Sequence, residues 1–466
     1  MKFKNKKTRK RGGEVIASGG FGCVFVPALK CKNKEREKGM VSKLFKKKYA
    51  EKEYDEIVRF KPILSKIPNY EKYFLINNVS LCQPEYLTEN DLINYEDKCN
   101  TLIDDKITRS NINDSLDKIM SLNIPYGGKS VGTYVKQNNI LEIKNKLNNA
   151  LISLLTNGIV PMNKKNIYHC DLKDSNILVT DESTNKLITR IIDWGLSFKY
   201  VDSNEIPDNV KGRPFQFNLP FSIILFNDVF DKMYSEFLHE NKKPTMSQIR
   251  AFVANYIFVW MESRGKGHIK TINLIINILF KDDLKHLSEF DKDVILELEF
   301  TYYYLINYIT EILFKYTKNG KIYLNDYFKN IYLKNVDIWG LIITYLPFFE
   351  YFSDNYDNLT KNEYEIFEKL KYIYIHYLYE TSITPINVNE LVSDLKKINQ
   401  IDISSSSPLS SKSSFRQKTM KSKSRSSSKS SKSSRLSRKT KHNKHYEKYK
   451  NLSEGDVNVN FISLKQ

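Results

Sequence analysis

Several things are scarce in this chain of 466 residues, and each scarcity removes a class of protein. Only five cysteines occur (Cys23, Cys31, Cys82, Cys99 and Cys170), with no CxxC pair and no zinc-ligand spacing. A small disulfide scaffold is excluded, and free thiols in a reducing compartment are the expectation. Long apolar runs are missing too. The longest, Ile338 to Phe349, contains Pro347 and is too short to cross a bilayer. The first residues are basic with no apolar stretch behind them, so no secretory leader is expected. The chain reads as soluble, without a membrane partner. Acids are absent from one end and nearly so from the other. Residues 1–11 hold seven Lys/Arg and no Asp or Glu, and residues 404–450 hold fifteen against the single Glu447. The net charge of +19 therefore sits in the ends, the body over 12–403 is close to neutral, and any polyanion would meet the tails. No internal repeat is visible.

What is present is a composition that folds. At 41% hydrophobic and 13% aromatic the chain buries a sizeable core, which rules out a wholly disordered chain or a collagen. The Ser/Lys/Arg-rich segment 404–450 has too few apolar groups to offset the entropy of ordering and is expected to be disordered. From Glu14 to about Val135 the signals are mostly strand-like, with one helical stretch near Lys48–Phe60. Beyond about Leu141 the pattern turns helical, as in Leu147, Leu151, Leu154 and Leu155.

Four constellations carry chemistry. The first is Ala17-Ser18-Gly19-Gly20-Phe21-Gly22-Cys23-Val24, a glycine cluster between two β-rich arms. Glycines at such a hairpin tip let backbone N–H groups approach phosphate oxygens where a Cβ would collide. Taken alone, a tight turn explains it as well. It is not a Walker A loop, because no GK[ST] follows and strands flank it. The second is Lys43 between Ser42 and Leu44, where alternation puts Val41 and Lys43 on one strand face. The neighbouring Lys46, Lys47 and Lys48 make a solvated lysine the competing reading. The third is Tyr168-His169-Cys170-Asp171-Leu172-Lys173-Asp174-Ser175-Asn176-Ile177-Leu178-Val179. Here a loop holds a carboxylate, an ammonium and an amide at fixed offsets before an apolar strand. Phosphoryl transfer needs such a set: an acceptor for the hydroxyl proton, a cation on the γ-phosphate and an oxygen ligand for Mg²⁺. The fourth is Ile191-Ile192-Asp193-Trp194-Gly195, a second carboxylate after a β-run. Two carboxylates and an amide on one hairpin suit a hard cation.

With these residues in this order the chain resembles the protein-kinase superfamily, over roughly residues 12–200 and again at Val336-Asp337-Ile338-Trp339-Gly340. More narrowly it resembles the divergent serine/threonine kinases of giant nucleocytoplasmic DNA viruses. The features are the Asp193-Trp194-Gly195 triplet, the run Arg213–Ser222, a long insert and a Lys/Asn/Ile/Tyr-rich composition. The resemblance implies an α+β, bilobal protein-kinase-like fold: a basic arm over 1–11, an N-lobe over 12–126, a C-lobe over 127–403 with an insert at about 223–335, and a tail over 404–466. It implies ATP and Mg²⁺ as cofactors. Ile16 and Val24 would lie against adenine, with Ala17, Ser18, Gly19, Gly20, Phe21, Gly22 and Cys23 over the phosphates. Ala17 stands where the family has its first loop glycine. Lys43 would bind the α- and β-phosphates and pair with Glu53 or Glu56. Glu53 is preferred because Ala50 and Ile57 bracket it on one helix face. Met120–Gly128 would join the lobes, with Asn123 where many kinases place an acid. Asp171 would act on the substrate hydroxyl, Lys173 would neutralise the γ-phosphate, and Asn176 and Asp193 would hold the metal. His169 is expected to be packed, Trp194 to stack beside the site, and Asp337 to anchor the catalytic loop.

Two departures from the family pattern stand out. Cys170 replaces the usual Arg, which argues against activation by loop phosphorylation. Also, 144 positions separate Asp193 from Asp337, with no clear APE motif, and Arg213–Ser222 is expected to face the substrate. The helical insert that follows is open between a docking surface and mere elaboration. Cys23 and Cys170 are read as small packed residues before redox sensors.

The function expected is transfer of phosphate from Mg-ATP to Ser or Thr of protein substrates. The alternatives are a pseudokinase-type scaffold, against which Lys43, Asp171, Asn176 and Asp193 argue, and a small-molecule kinase. For the tail, nucleic-acid binding and a solvated, autophosphorylated arm stand level. The viral resemblance implies the host cytoplasm, a virus factory or the virion, with nuclear entry open.

Overall fold

The computed structural model describes residues 14–18, 22–183, 186–202, 205–281 and 301–402. The basic arm, Gly19, Gly20 and Phe21, and the Ser/Lys/Arg-rich tail lie outside these. The described chain is mixed α+β, with a sheet at its N-terminal end and a largely helical remainder, an arrangement compatible with the bilobal protein-kinase-like fold.

Five antiparallel strands build the sheet: β1 (Glu14–Ser18), β2 (Gly22–Val26), β3 (Met40–Lys46), β4 (Ser80–Cys82) and β5 (Ile119–Pro125), in the order β1-β2-β3-β5-β4. The register decides which side chains meet. Lys43 lies opposite Val24 and Leu122, and Leu44 lies opposite Cys23 and Ser121. Because side chains alternate along a strand, Lys43 and Val24 share one face while Cys23 and Leu44 share the other. That other face has a small core of its own, in which Val15, Cys23, Phe25 and Leu44 pack with Leu92, Tyr95, Leu102 and Ile112.

Helix α1 (Lys47–Leu64) follows β3 directly and contains the expected helical stretch. Ala50, Glu53, Ile57, Phe60 and Leu64 are its buried positions, a spacing that keeps one stripe against the sheet. After β5 the chain becomes helical. Among its helices are α2 (Ile140–Leu154), α3 (Asp228–Glu240), α4 (Met246–Arg264), α5 (Ile269–Leu279), α6 (Thr301–Tyr316), α7 (Leu333–Ile343) and α8 (Val388–Asn399). Leu147, Leu151, Leu154 and Leu155 are all buried, as their spacing predicts. The long insert is helical at Ile272–Leu279 and Thr301–Phe314, while the part of its expected helix over 294–300 lies outside the described residues. The hairpin β6 (Ile177–Ser183) and β7 (Lys186–Ile191) interrupts the helices. It is tied back to the sheet end by Leu75 N–H to Ile191 O at 3.1 Å and Ile191 N–H to Tyr73 O at 2.8 Å.

The expectation of free thiols is overturned. Cys23 is bonded to Cys99 and Cys31 to Cys82, and Cys170 alone is free and buried. The partners are 76 and 51 residues apart, so no local spacing announced them. Strand pairing and the second core bring them together.

Among the described residues no helix is long and apolar enough to cross a membrane. The apolar run from Ile338 ends in a break at Thr344–Tyr345 and continues as a short helix over Leu346–Asp354 inside the core.

Candidate active site

The loop between Tyr168 and Ile177 is held from below. Asp337, on α7 and 1% exposed, accepts Cys170 N–H at Oδ1 (2.9 Å) and His169 N–H at Oδ2 (2.9 Å). Its Oδ2 also accepts Asn163 Nδ2 at 2.7 Å. Helix α7 reaches the loop this closely because Gly340 carries no side chain: a Cβ there would stand 2.6 Å from Leu172 O. His169 is fully buried, and burial lowers its pKa, so the ring is neutral. Its Nε2 is 2.9 Å from Ile192 O, and Asp171 N–H lies 3.3 Å from its Nδ1. A proton on Nε2 is the tautomer that satisfies both contacts. Trp194 packs edge-on against this ring with centroids 5.2 Å apart, and against Phe60 of α1 at 5.9 Å.

These supports aim Asp171. Its carboxylate takes four hydrogen bonds. Oδ1 accepts from Lys173 Nζ (3.0 Å) and Asn218 Nδ2 (2.9 Å), and Oδ2 from Lys173 Nζ (2.9 Å) and Asn176 Nδ2 (2.9 Å). Asn176 also donates to Asp171 O at 2.8 Å, which leaves its Oδ1 as the atom for another partner. Ile192 N–H donates to the main-chain carbonyl of Asn176 at 3.0 Å, which ties the residue before Asp193 to this loop.

A second charged group faces this loop. Lys43 Nζ lies 2.6 Å from Glu53 Oε2 and 2.9 Å from Asp193 Oδ1. Burial pulls the Lys43 pKa down, but Asp193 and Glu53 together raise it well above the ordinary lysine range. Asp193 is lowered: burial pushes its pKa up, and Lys43 overrides that push. Burial, helped by Asp193 and opposed by Lys43, lifts Glu53 to about 7. Glu56 instead lies 3.6 Å from Arg59, so the carboxylate that meets Lys43 is Glu53. Asp193 itself adopts φ +67, a left-handed conformation that turns the chain sharply before Gly195.

The other expected residues fall out as follows. Val24 is half-buried on the Lys43 face and Ile16 is 42% exposed. Gly22 is buried at the start of β2, and Ala17 and Ser18 pair with Val24 and Cys23 in the β1–β2 hairpin. The tip, Gly19 to Phe21, lies outside the described residues. Cys23 points to the opposite face, into the disulfide with Cys99, so its side chain stands away from Lys43. The lobe-joining stretch is also shorter than read from sequence. Residues 119–125 are strand, and Asn123 is buried within it, bonded to Ser42, Ser121 and Cys31. Only Tyr126–Gly128 remain between β5 and the short strand Lys129–Ser130.

Two contributors were not singled out by sequence. Asn218 touches the Asp171 carboxylate, and Arg213 donates to Cys170 O at 3.0 Å. Both sit in the stretch expected to face the substrate, but nothing in that stretch marks an amide or a guanidinium for this use. A cavity of about 430 Å³, lined by Lys211, Asp228, Asp231, Asp326 and neighbours, includes none of the residues that meet Asp171 or Lys43.

Asn176 and Asp193 both offer hard oxygen donors, one amide already oriented and one carboxylate held charged by Lys43, donor types that suit Mg²⁺. Among the described residues no group of three or more His, Cys, Asp or Glu forms a metal cluster. A cation here would therefore draw on few protein ligands plus the substrate's own oxygens, the usual mode for Mg²⁺ with a nucleotide.

No family model matches the chain. A stretch of 60 residues is 37% identical to calcium-dependent protein kinase 4 of Plasmodium falciparum, and equally to that of Plasmodium berghei. The match covers 13% of this chain and 11% of each relative, so the chain spans about a ninth of the length of the relatives it matches. The similarity supports a relationship to protein kinases, and no finer kinship.

Proposed function

We propose that this chain is a protein kinase that transfers the γ-phosphate of Mg-ATP to Ser or Thr hydroxyls of protein substrates. One observation carries the reading: a carboxylate, Asp171, is fixed by Lys173, Asn176 and Asn218 beside a second centre, Lys43–Glu53–Asp193, and the two are joined through the Asn176–Ile192 main-chain bond. Phosphoryl transfer asks for positioning and charge, and these two centres divide that work.

In this reading residues 12–126 hold the nucleotide and 127–403 the acceptor. Lys43, kept protonated by its two carboxylates, binds the α- and β-phosphates, with the β1–β2 hairpin above them. Asn176 and Asp193 would hold Mg²⁺, which supplies charge for the phosphate oxygens. Lys173 exchanges one bond to Asp171 for the γ-phosphate. This frees a lone pair on the carboxylate to orient the acceptor hydroxyl and take its proton. Asn218 and Asn176 hold the carboxylate still while Lys173 moves. The choice of Ser/Thr over Tyr rests on Lys173, two residues after the base, as in the family resembled.

The test is transfer of labelled phosphate from Mg-ATP onto the protein itself, casein and myelin basic protein, with Asp171→Asn in parallel. Phosphoserine or phosphothreonine is expected from wild type, reduced by about 10²–10⁴-fold in the variant. Transfer to a small hydroxylated acceptor but to no protein would favour a small-molecule kinase. Nucleotide binding without any transfer would favour a scaffold.

A further inference from the structure

Cys170 precedes the base and adopts φ +57. A residue with a β-carbon pays about 1–2 kcal/mol for that left-handed conformation, so something must hold it there. On its N-terminal side the holder is Asp337, which accepts Cys170 N–H at 2.9 Å. On its C-terminal side lies the peptide plane linking Cys170 C=O to Asp171 N–H. The N–H of that plane meets His169 Nδ1 at 3.3 Å. The C=O meets Arg213, whose Nη1 donates at 3.0 Å and whose Nη2 donates to Gln216 Oε1. Arg213 is 7% exposed, so this guanidinium is committed to the interior.

The segment that supplies Arg213 also supplies Asn218, and the long insert clasps it. Gly212 N–H donates to Phe226 O at 3.0 Å, and His268 N–H donates to Phe215 O at 2.9 Å. Tyr327 OH donates to Ser222 Oγ at 2.8 Å, and from α7, beyond the insert, Trp339 Nε1 donates to Phe217 O at 3.1 Å. The turn before His268 comes this close because Gly267, at φ +52, has no Cβ; one there would stand 2.3 Å from Phe215 O.

We propose that Arg213 is a positioning residue for phosphoryl transfer: it locks the Cys170–Asp171 peptide, and through it the base carboxylate, with a guanidinium carried by the acceptor-facing segment. With the guanidinium supplied from within, the centre needs no phosphate on that segment, and the insert is the clamp that keeps the segment in place. This assignment rests on the kinase reading above.

The experiment compares full-length wild type, Arg213→Ala, Arg213→Lys and Gln216→Ala in steady-state transfer to a protein acceptor. ATP and acceptor are varied separately, and wild type is also assayed after phosphatase treatment. Arg213→Ala is expected to lose at least about tenfold in kcat with its KM for ATP little changed, the signature of lost transition-state positioning. Guanidinium ion at millimolar level restores part of that loss, and sodium chloride does not. Arg213→Lys stays impaired, because an ammonium cannot make the forked pair of bonds. Gln216→Ala, which frees one prong, loses less, about two- to threefold. Phosphatase-treated wild type keeps its rate. If Arg213→Ala does not fold, Arg213→Met fills the same space without a donor and carries the same kcat expectation. Wild-type kcat in the folded variant overturns the assignment. So does a loss that guanidinium leaves untouched and that falls equally on ATP binding, or inactivation of wild type by phosphatase. No transfer by wild type to any protein overturns the kinase reading and this assignment together, whereas transfer with Arg213→Ala unchanged overturns this assignment alone.

Discussion

The two halves of the site are held by different forces. Around Lys43 the holding groups are ionisable side chains: one ammonium between two carboxyl groups, at 2.6 and 2.9 Å, all on elements of regular structure or at their ends. Around Asp171 the holding groups grip main chain as much as side chain. Asp337 takes two N–H groups, Arg213 a carbonyl, and Asn176 both a carbonyl and a carboxylate oxygen. The first half is fixed by charge balance and the second by shape, because the second must maintain a left-handed residue, Cys170, beside Asp171. A substitution that keeps size but removes charge should therefore wound the first half, and one that keeps charge but adds size should wound the second.

The sharpest way to break that contrast is Lys43→Met. It preserves the stem and leaves Glu53 and Asp193 facing each other without their cation. Turnover is expected to fall by two orders of magnitude or more, with weaker nucleotide binding by calorimetry, on the scale of removing a phosphate-clamping cation. Near-normal nucleotide affinity in this variant would show that charge balance is not what holds the first half.

Next in effect is Gly340→Ala, a change of one methyl and no charge. Its Cβ would meet Leu172 O, and α7 has to back away from the loop, costing about 1–3 kcal/mol as overpacking does. Turnover should drop about tenfold while nucleotide affinity holds. An unchanged rate would mean that the loop tolerates movement of Asp337.

A change on the reverse face of the sheet supplies the control. Cys23→Ser with Cys99→Ser removes the link on the opposite face of the sheet, and denaturant melts should show a loss of about 2–4 kcal/mol. The effect on turnover should be about twofold at most, since Cys23 points away from Lys43. A larger kinetic effect would place the reverse face in the nucleotide site. Smallest of all should be Glu56→Gln, whose half-buried carboxylate lies 3.6 Å from Arg59 and does not meet Lys43. A change within about 0.5 kcal/mol in stability is expected, and a Glu53-like loss of activity would reverse the assignment of Lys43's partner.

Local pattern carried much of this. The helix over Lys47–Leu64 and the buried Leu147–Leu155 stripe follow from periodicity, and the helical spacing of Ala50, Glu53 and Ile57 already pointed Glu53 inward. The cysteine pairing was illegible because 76 and 51 residues separate the partners, and a thiol's sequence neighbours do not report what lies across a sheet. Asn123 was misplaced for a related reason. The strand runs on to Pro125, and β pairing with Met40–Lys46 decided that, rather than the residues themselves. Arg213 and Asn218 were within a stretch already suspected of facing the substrate. Their partners, however, are 43 and 47 residues away, and the insert that holds them has no recognisable pattern.

By itself the sequence determined which chemistry is available: the order and spacing of Lys43, Asp171, Lys173, Asn176 and Asp193, the elements that carry them, and the separation of a near-neutral body from basic ends. Side-chain type and short-range periodicity are local properties, and they survive without knowledge of the fold. Only the tertiary structure decided what holds those groups in place. Asp337 lies 166 residues beyond Asp171, and Arg213, Asn218 and the cysteine pairs are likewise brought in from a distance. A hydrogen bond or ion pair acts over a few ångströms, so contacts between residues this far apart in the chain exist only after the helices and the sheet have packed.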